Sequence, residues 1–408
     1  MQPGPTITIT ETPLDHVTPA QLQTRQQGPL VAVDLGTTAI RLAVMENGRP
    51  VPLLAPRQRP APAVIAVAAR GNVVVGLAAE QQAASRPDLA VRDIKRLVGG
   101  TFNSDAVRAV RERQACRFFQ GPNGQVGVQL ADRTFSPREM VAILLADARS
   151  RAQELLRQQV FRMVVAIPAG RDAWFNDMVY GGAAIAGLHL AAAVPEPLAA
   201  AFSGARSGKG KDKVVGVYDW GGGGFTFSVI RPAEGRAEVA STGVDASIGG
   251  GEIDAALLRW VLSAMPADHP LHGDEAAAKN PRLLAAAERM KIELSQAPQA
   301  RARVPFVADG NVDFEAEVKR EELDQVLEPF VTRSLALAED TLINVGMFPG
   351  DVEELLLVGD QSRAPMVRER LAQFFPGVPL RADSPGDAIV LGACGIASSR
   401  AQARPPTR

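Results

Sequence analysis

Two apolar runs flank a short polar tip near the start of the chain, in "VAVDLGTTAIRLAVMENG" (31–48). Residues 31–33 and 39–44 have the apolar, β-branched composition of strands, and Asn47 with Gly48 forms a typical turn signal. The pattern therefore predicts a β-hairpin followed by a third strand. Its tip contains an aspartate, a glycine and two threonines, which are ordinary turn residues but also suit phosphate or metal binding.

The same layout recurs in "KVVGVYDWGGGGFTFSVIRPAEGRAEVAS" (213–241), with an apolar strand, an aspartate, a glycine-rich tip and two further strands. Asp34 and Asp219 are separated by nearly half of the chain. This internal repeat predicts two related α/β halves, each beginning with a hairpin that carries an acidic tip.

Strand and helix patterns alternate through the rest of the chain, which is typical of the α/β class. Strands are predicted at 163–167 and 352–360. Helices are predicted at 172–187, 196–202, 282–296, 321–346 and 362–375.

Composition excludes several classes of protein. The 44 basic and 45 acidic residues give a net charge of −1, so no nucleic-acid partner is expected. Two cysteines in 408 residues argue against a disulfide framework and favour a reducing, cytoplasmic compartment. No apolar stretch approaches the ~20 residues of a membrane helix, so no membrane partner is expected either.

The two ends of the chain have polar compositions. Residues 1–28 are rich in Pro, Gln and Thr and lack the pattern of a signal peptide, so we predict a disordered extension. Its "TITIT" segment would alternatively add an edge strand or serve as a docking tail. Residues 400–408 are predicted to be a flexible tail, and His269 and His272 a polar loop rather than a metal site.

The two acidic tips permit a specific chemistry when they are taken together. An aspartate holds a phosphate through a divalent cation, typically hydrated Mg²⁺, to which Asp34 and Asp219 would bind. The glycines let backbone N–H groups approach phosphate oxygens, and the threonine hydroxyls add donors. A third glycine site, "LLLVGDQSRAP", places Gly359 after a strand, with Arg363 suited to stack on a flat ring. By itself, this third site is more typical of a plain strand-to-helix turn with Ser362 as its cap.

In sequence order, these motifs resemble the nucleotide-binding domain of the 70-kDa heat-shock (DnaK-type) chaperones, of the actin-like ATPase superfamily. The segments "VAVDLGTTAIRLAV", "VRDIKRLVGG", "VYDWGGGGFTFSV", "ERMKIELSQA" and "LLLVGDQSRAPMVRERLAQFF" carry the resemblance, which extends over about 29–399. It implies two lobes of duplicated, ribonuclease-H-like α/β subdomains around a nucleotide cleft, ATP or ADP as ligand, and Mg²⁺ as cofactor.

The resemblance also implies roles for individual residues. Asp34 and Asp219 match the acids that hold hydrated Mg²⁺, Lys95 the lysine that positions the attacking water, and Glu196 the glutamate on the proton path. The residues that match phosphate or adenosine contacts are Gly36, Thr37, Thr38, Gly221, Gly222, Gly223, Glu288, Lys291, Ser295, Gly359 and Arg363.

Simpler interpretations exist for some of these residues on sequence grounds alone. Lys95 beside Arg96 is typical of a surface pair. Glu196 is adequately explained as an acid at a helix start, and Glu288 with Lys291 as a solvated pair on a helix.

Several positions depart from the family pattern, including Pro195 and Leu198, which replace polar residues that usually flank the glutamate. Gly224 and Thr226 stand where the second phosphate loop usually has a threonine and an acid, Asp360 replaces a glycine of the adenosine motif, and Gly386 replaces an acid of the closing segment. Because hydrolysis requires preorganised transition-state contacts, such changes should impair hydrolysis more than binding.

The predicted organisation is a first lobe at 29–205 and a second lobe at 206–399, without a peptide-binding domain. We therefore expect an ATP-binding, slowly hydrolysing chaperone-like switch that acts on an unidentified protein partner and has no direct peptide clamp. The alternatives are a nucleotide-binding pseudo-ATPase that serves as a scaffold, a small-molecule kinase on the same frame, and a filament-forming relative.

Overall fold

The computed structural model describes residues 28–68, 71–170, 173–203, 213–233, 236–308 and 312–403. Among them, no helix is long and apolar enough to cross a membrane. The chain divides into two compact units. The first comprises the described parts of Met1–Lys213, Ile230–Val239 and Gly386–Arg408, and the second comprises those of Val214–Val229 and Ala240–Pro385.

The described residues form strands and helices in an alternating order. The strands are β1 (Leu30–Leu35), β2 (Ala39–Glu46), β3 (Arg49–Pro52), β4 (Ala61–Pro62), β5 (Ile65–Val67), β6 (Val73–Val75), β7 (Ala90–Val91), β8 (Arg117–Gln120), β9 (Val126–Leu130), β10 (Arg133–Phe135), β11 (Arg162–Ile167), β12 (His189–Pro195), β13 (Val215–Gly221), β14 (Gly224–Ala233), β15 (Arg236–Asp245), β16 (Gln299–Ala308), β17 (Val312–Lys319), β18 (Glu354–Val358) and β19 (Leu380–Arg381). The helices are α1 (Leu77–Ser85), α2 (Ile94–Leu97), α3 (Asp105–Glu112), α4 (Pro137–Leu156), α5 (Ala173–Ile185), α6 (Glu196–Ser203), α7 (Gly250–Ala264), α8 (Pro281–Leu294), α9 (Arg320–Ile343), α10 (Pro365–Phe374) and α11 (Ala388–Ala403).

The first unit is built on a mixed sheet with strand order β12-β11-β1-β2-β3, and β4 also pairs with β2. β1 lies at the centre of this sheet, and its neighbouring residues Val31 and Ala32, which point to opposite faces, are 0% and 1% exposed, as suits a strand covered on both faces. Helix α4 begins where Ser136 and Glu139 form a reciprocal capping box ahead of a buried apolar face. Two smaller sheets, β6-β5-β7 and β10-β9-β8, complete the unit.

The second unit contains most of a five-stranded sheet with order β15-β14-β13-β18-β19. β13 and β18 are parallel neighbours, with Asp219 opposite Val358. The core beneath this sheet includes Tyr218, Trp220 and Phe225, which are fully buried. A separate two-stranded sheet, β16-β17, packs on α8.

Both predicted hairpins are confirmed, as are the helices and strands predicted between residues 163 and 375. Asn47 and Gly48 have positive φ angles of 51° and 76°, as a tight turn between β2 and β3 requires. The sequence pattern missed the β16–β17 hairpin and the small sheets of the first unit.

The C-terminal helix groups differently from the predicted lobes. We predicted the closing segment in the second lobe, but α11 packs against α6, β1 and β2 of the first unit. Gly392 makes this packing possible because a Cβ there would overlap the backbone of Ala199. α11 also continues to Ala403, beyond the predicted start of the tail at 400. The predicted extension lies outside the described residues except for Gly28, as do the last five residues of the predicted tail.

Candidate functional site

In the first unit, the predicted site residues lie at the carboxyl ends of three parallel strands. β1 pairs with β11 and β11 with β12, so Asp34 stands in register with Ala166, and Ala166 in register with Val194. Glu196 follows two residues after Val194, as the first residue of α6. Asp34 and Glu196 therefore lie on the same edge, at the ends of strands that are about 10 Å apart at the usual strand spacing.

Asp34 is only 5% exposed, and its Oδ1 is a buried acceptor without a hydrogen-bond partner among the described residues. Leaving such an oxygen unpaired is costly unless a cation or a polar ligand satisfies it. The site next to Asp34 is thus suited to a hydrated divalent cation, as the sequence predicts. No group of three His, Cys, Asp or Glu side chains suitable for direct metal coordination occurs in the part of the chain described.

In the loop after Asp34, the backbone turns back and passes close to itself. A Cβ on Gly36 would overlap the carbonyl oxygen of Ala39, so a glycine is required at this position. Thr37 is half-buried and Thr38 is exposed, and the Thr38 carbonyl accepts a hydrogen bond from the Ala63 N–H at 2.9 Å.

Lys95 and Glu196 form an ion pair in the first unit, with Nζ donating to Oε1 at 2.6 Å. The side chains are 18% and 11% exposed, and the neighbouring Arg96 is buried. The interpretation of Lys95 and Arg96 as a surface pair is therefore wrong. Glu196 does begin a helix, as the simpler interpretation holds, but it also binds an ammonium group that comes from 101 residues earlier in the chain.

In the second unit, three glycine-rich segments stack backbone against backbone. A Cβ on Gly249 would overlap the Gly224 nitrogen and lie 2.6 Å from the Gly222 carbonyl oxygen. A Cβ on Gly359 would overlap the Trp220 carbonyl oxygen and lie 2.9 Å from the Gly221 nitrogen. The segments 221–224, 249–251 and 359 form a surface that we call the glycine cradle, on which a ligand would meet main-chain groups.

A buried aromatic cluster supports the cradle from below. The Trp220 indole N–H donates to the Ile248 carbonyl at 2.5 Å, which joins the first cradle segment to the second. Trp220 also packs edge-on against Tyr218 and Phe225, and the Tyr218 hydroxyl lies 2.6 Å from that of Ser334 on α9.

Gly224 has a structural reason to be glycine in this chain. Its φ is 152°, and a Cβ there would lie 3.0 Å from both the Ala246 Cα and the Asp245 carbonyl oxygen. The second phosphate loop therefore lacks a hydroxyl at a position that the backbone of residues 245–246 approaches closely. That backbone is itself fixed, because Asp245 accepts hydrogen bonds from Arg333 at 2.6 Å and from the Ser247 N–H at 2.8 Å.

Lys291 of α8 is buried, so the solvated pair with Glu288 is wrong. Its Nζ lies 2.7 Å from Asp254 Oδ1 and donates to the Gly250 carbonyl at 3.2 Å, while Glu288 is exposed. Burial raises the pKa of the Asp254 carboxyl to about 6, opposed by the attraction of Lys291. Lys291 thereby joins α8 to the start of α7 beside the cradle, and the Ser295 hydroxyl donates to the Lys291 carbonyl at 3.3 Å.

The segment after Gly359 brings two further polar groups to the second unit. Arg363 Nε lies 3.0 Å from Asp360 Oδ1, and both side chains are about half exposed. Asp360, which replaces a glycine of the resembled motif, thus holds the arginine that was predicted to stack on a flat ring. The Gln361 amide lies beside Gly250, where a Cβ would come within 2.6 Å of its Nε2.

The structure brings most of the predicted site residues together within each unit. Asp34, Lys95 and Glu196 share one sheet edge, while Asp219, Gly221–Gly223 and Gly359 share the carboxyl ends of β13 and β18. Sequence reasoning missed Asp254, Gln361 and the support by Trp220. The run Gly249-Gly250-Gly251 was the available signal for the second cradle segment.

Comparison with protein-family models gives a match along nearly the whole chain. The model described as Hsp70 protein matches residues 30–403. The match includes every site residue described above.

Proposed function

The chain belongs to the Hsp70 family, and from this premise we propose that it binds ATP or ADP with Mg²⁺ and hydrolyses ATP slowly. Family membership makes it an ATP-binding protein of the chaperone type with the actin-like ATPase fold. The hydrolytic activity, its slow rate and the roles of individual residues are our proposal.

The observation that carries the hydrolysis proposal is the ion pair of Lys95 and Glu196 at 2.6 Å. Glu196 holds the Lys95 ammonium at the sheet edge that also bears Asp34. There the ammonium would orient a water and stabilise charge that develops on a phosphate oxygen. Glu196 would receive the proton of that water through a solvent bridge. Mg²⁺, when bound through water to Asp34, would neutralise phosphate charge.

The slow rate is proposed from the second phosphate loop. Gly224 offers no hydroxyl and Thr226 no carboxylate at positions where the resembled family has them. Loss of one preorganised contact commonly costs about 10²-fold or more in rate. Binding would be less affected, because the glycine cradle is built from main-chain segments and does not depend on these side chains.

Single-turnover phosphate release tests this proposal. We expect Lys95→Ala to reduce the rate by at least about 10²-fold and to leave ATP affinity within a few-fold, because the ammonium acts mainly in the transition state. Lys279→Ala, which changes an exposed lysine, is the matched control and should behave as the wild type. Equal rates for Lys95→Ala and wild type would contradict the proposed role of Lys95.

A pseudo-ATPase that uses nucleotide only as a structural ligand is the second candidate. The close approach of Ala246 to Gly224 favours it, since a Cβ at Gly224 would lie only 3.0 Å from the Ala246 Cα. ATP binding without phosphate release above the uncatalysed background would establish this candidate instead.

We also propose that nucleotide state alters a surface recognised by a protein partner. Amide hydrogen exchange of the full chain with ATP and with ADP would test this. Differences confined to the ligand contacts would argue against a switch.

A further inference from the structure

The side chain of Gln114 pairs with the backbone of a single residue, Arg92, in the way that a neighbouring strand would. Its Oε1 accepts from the Arg92 N–H at 2.8 Å, and its Nε2 donates to the Arg92 carbonyl at 3.1 Å. β7 ends at Val91, so the side-chain amide continues the pairing of main-chain groups by one residue. Gln114 follows α3 and is 22 residues away from Arg92 in sequence.

The residue held in this way begins the turn that carries Lys95. Asp93, the next residue, has φ 55° and ψ 31°, a left-handed conformation that is uncommon outside glycine. Its carbonyl accepts from the Arg96 N–H at 2.9 Å and so starts the four-residue helix α2. A helix this short is not stable by itself, so contacts on either side must fix its direction.

The opposite side of α2 is anchored in the core. Ile94 is 1% exposed and Leu97 is fully buried. Those two contacts fix the depth of the turn, but apolar packing is non-directional. Directional hydrogen bonds at Arg92 supply the constraint on rotation, which decides where the Lys95 side chain points.

We infer that Gln114 is a positioning residue for Lys95, because it clamps the Arg92 backbone and thereby fixes the left-handed turn at Asp93. It reaches neither Lys95 nor Glu196 in its hydrogen bonds, and it acts through the main chain. The consequence for hydrolysis rests on the proposed function, whereas the consequence for the Lys95–Glu196 ion pair does not.

The variant Gln114→Leu removes both hydrogen bonds while keeping a similar volume. We expect single-turnover hydrolysis to fall by about 10- to 100-fold, because small misplacements of a catalytic group have effects of this size, with ATP affinity unchanged within about twofold. Gln114→Glu keeps the acceptor for the Arg92 N–H and loses the donor, so its rate should lie between those of Gln114→Leu and the wild type.

A second readout does not depend on hydrolysis. The rate at which an acylating reagent modifies Lys95, measured by peptide mass spectrometry, should rise several-fold in Gln114→Leu because the ammonium spends less time paired with Glu196. Gln129→Leu is the matched control, since Gln129 also donates from Nε2 to a backbone carbonyl, that of Ala131, in the same unit. It should leave both readouts as in the wild type.

The outcomes separate the two claims. Unchanged Lys95 acylation in a folded Gln114→Leu variant overturns the positioning role, whatever the hydrolysis rate. A fall of ATP affinity in parallel with the rate also overturns it, because that pattern indicates general disruption of the site. If the wild type releases no phosphate but Gln114→Leu exposes Lys95, the proposed hydrolysis fails and the positioning role stands.

Discussion

At the scale of single residues, Asp254 makes the stability of the second unit depend on pH. The carboxyl is buried beside Lys291, and two further acids, Glu288 and Glu252, raise its pKa in addition to the loss of water. Its pKa is about 6 in the folded protein and 3.8 in the reference state. The folded chain therefore binds the proton more tightly than the unfolded chain does between these values.

The sign of the stability effect follows from this order of pKa values. A raised pKa of an acid favours folding at low pH, and that contribution is lost as pH rises through about 6. Across pH 4 to 7, we expect the free energy of unfolding of the wild type to fall relative to that of Asp254→Asn by up to about 3 kcal/mol. Urea denaturation of the wild type and of Asp254→Asn measures this difference in the free energy of unfolding. If the two free energies change with pH in parallel, the raised pKa does not belong to Asp254.

Residue types indicated candidate site residues but not which groups contact one another. Short spacings along the chain pointed to Asp34, to Gly221–Gly223 and to Gly359, and not to the cradle segment 249–251. The pairs Lys95–Glu196 and Asp254–Lys291 form between residues that are distant in sequence, so only the folded arrangement of strands and helices defines them. The same reason hid the close approach of Ala246 to Gly224.

At the scale of elements, the glycine cradle depends on backbone segments that exclude side chains. We expect Gly249→Ala to weaken ATP binding at least about tenfold and to lower the free energy of unfolding, because its Cβ would overlap the Gly224 nitrogen. Gly350→Ala is the control, since a Cβ there has no atom within 4 Å. Equal nucleotide affinity for the two variants would show that the cradle does not hold the ligand.

The hairpins were predictable because their signals are local. Alternating apolar runs and turn residues lie within about 20 residues of one another, and each strand pairs with the next. The β16–β17 hairpin lacked such a signal. Charged residues such as Arg301 and Glu317 pair on its outer face, so its sequence is a mixture of apolar and charged residues. Long-range pairing such as that of β1 with β11 has no local signal and was not predicted.

At the scale of the whole molecule, the duplicated α/β pattern gives each unit one acid at the end of a central strand. Asp34 forms the last register pair of β1 with β11, and Asp219 forms the last register pair of β13 with β18. The fold class was accessible from the sequence because the hairpin layout recurs and strand and helix patterns alternate along the chain. The grouping of α11 with the first unit was not, since a helix near the end of the chain gives no local signal of which sheet it covers.

Calorimetric titration of the full chain with ATP tests the central claim most directly. The account predicts saturable heat for one site in the presence of Mg²⁺ and much weaker binding when Mg²⁺ is chelated. The effect of Mg²⁺ should be smaller in Asp34→Asn, because that variant exchanges the buried carboxylate for a neutral amide. A melting temperature that rises with ATP concentration should accompany the heat. Absence of heat with both ATP and ADP up to about 1 mM, the weak end of ordinary substrate affinities, would contradict the account.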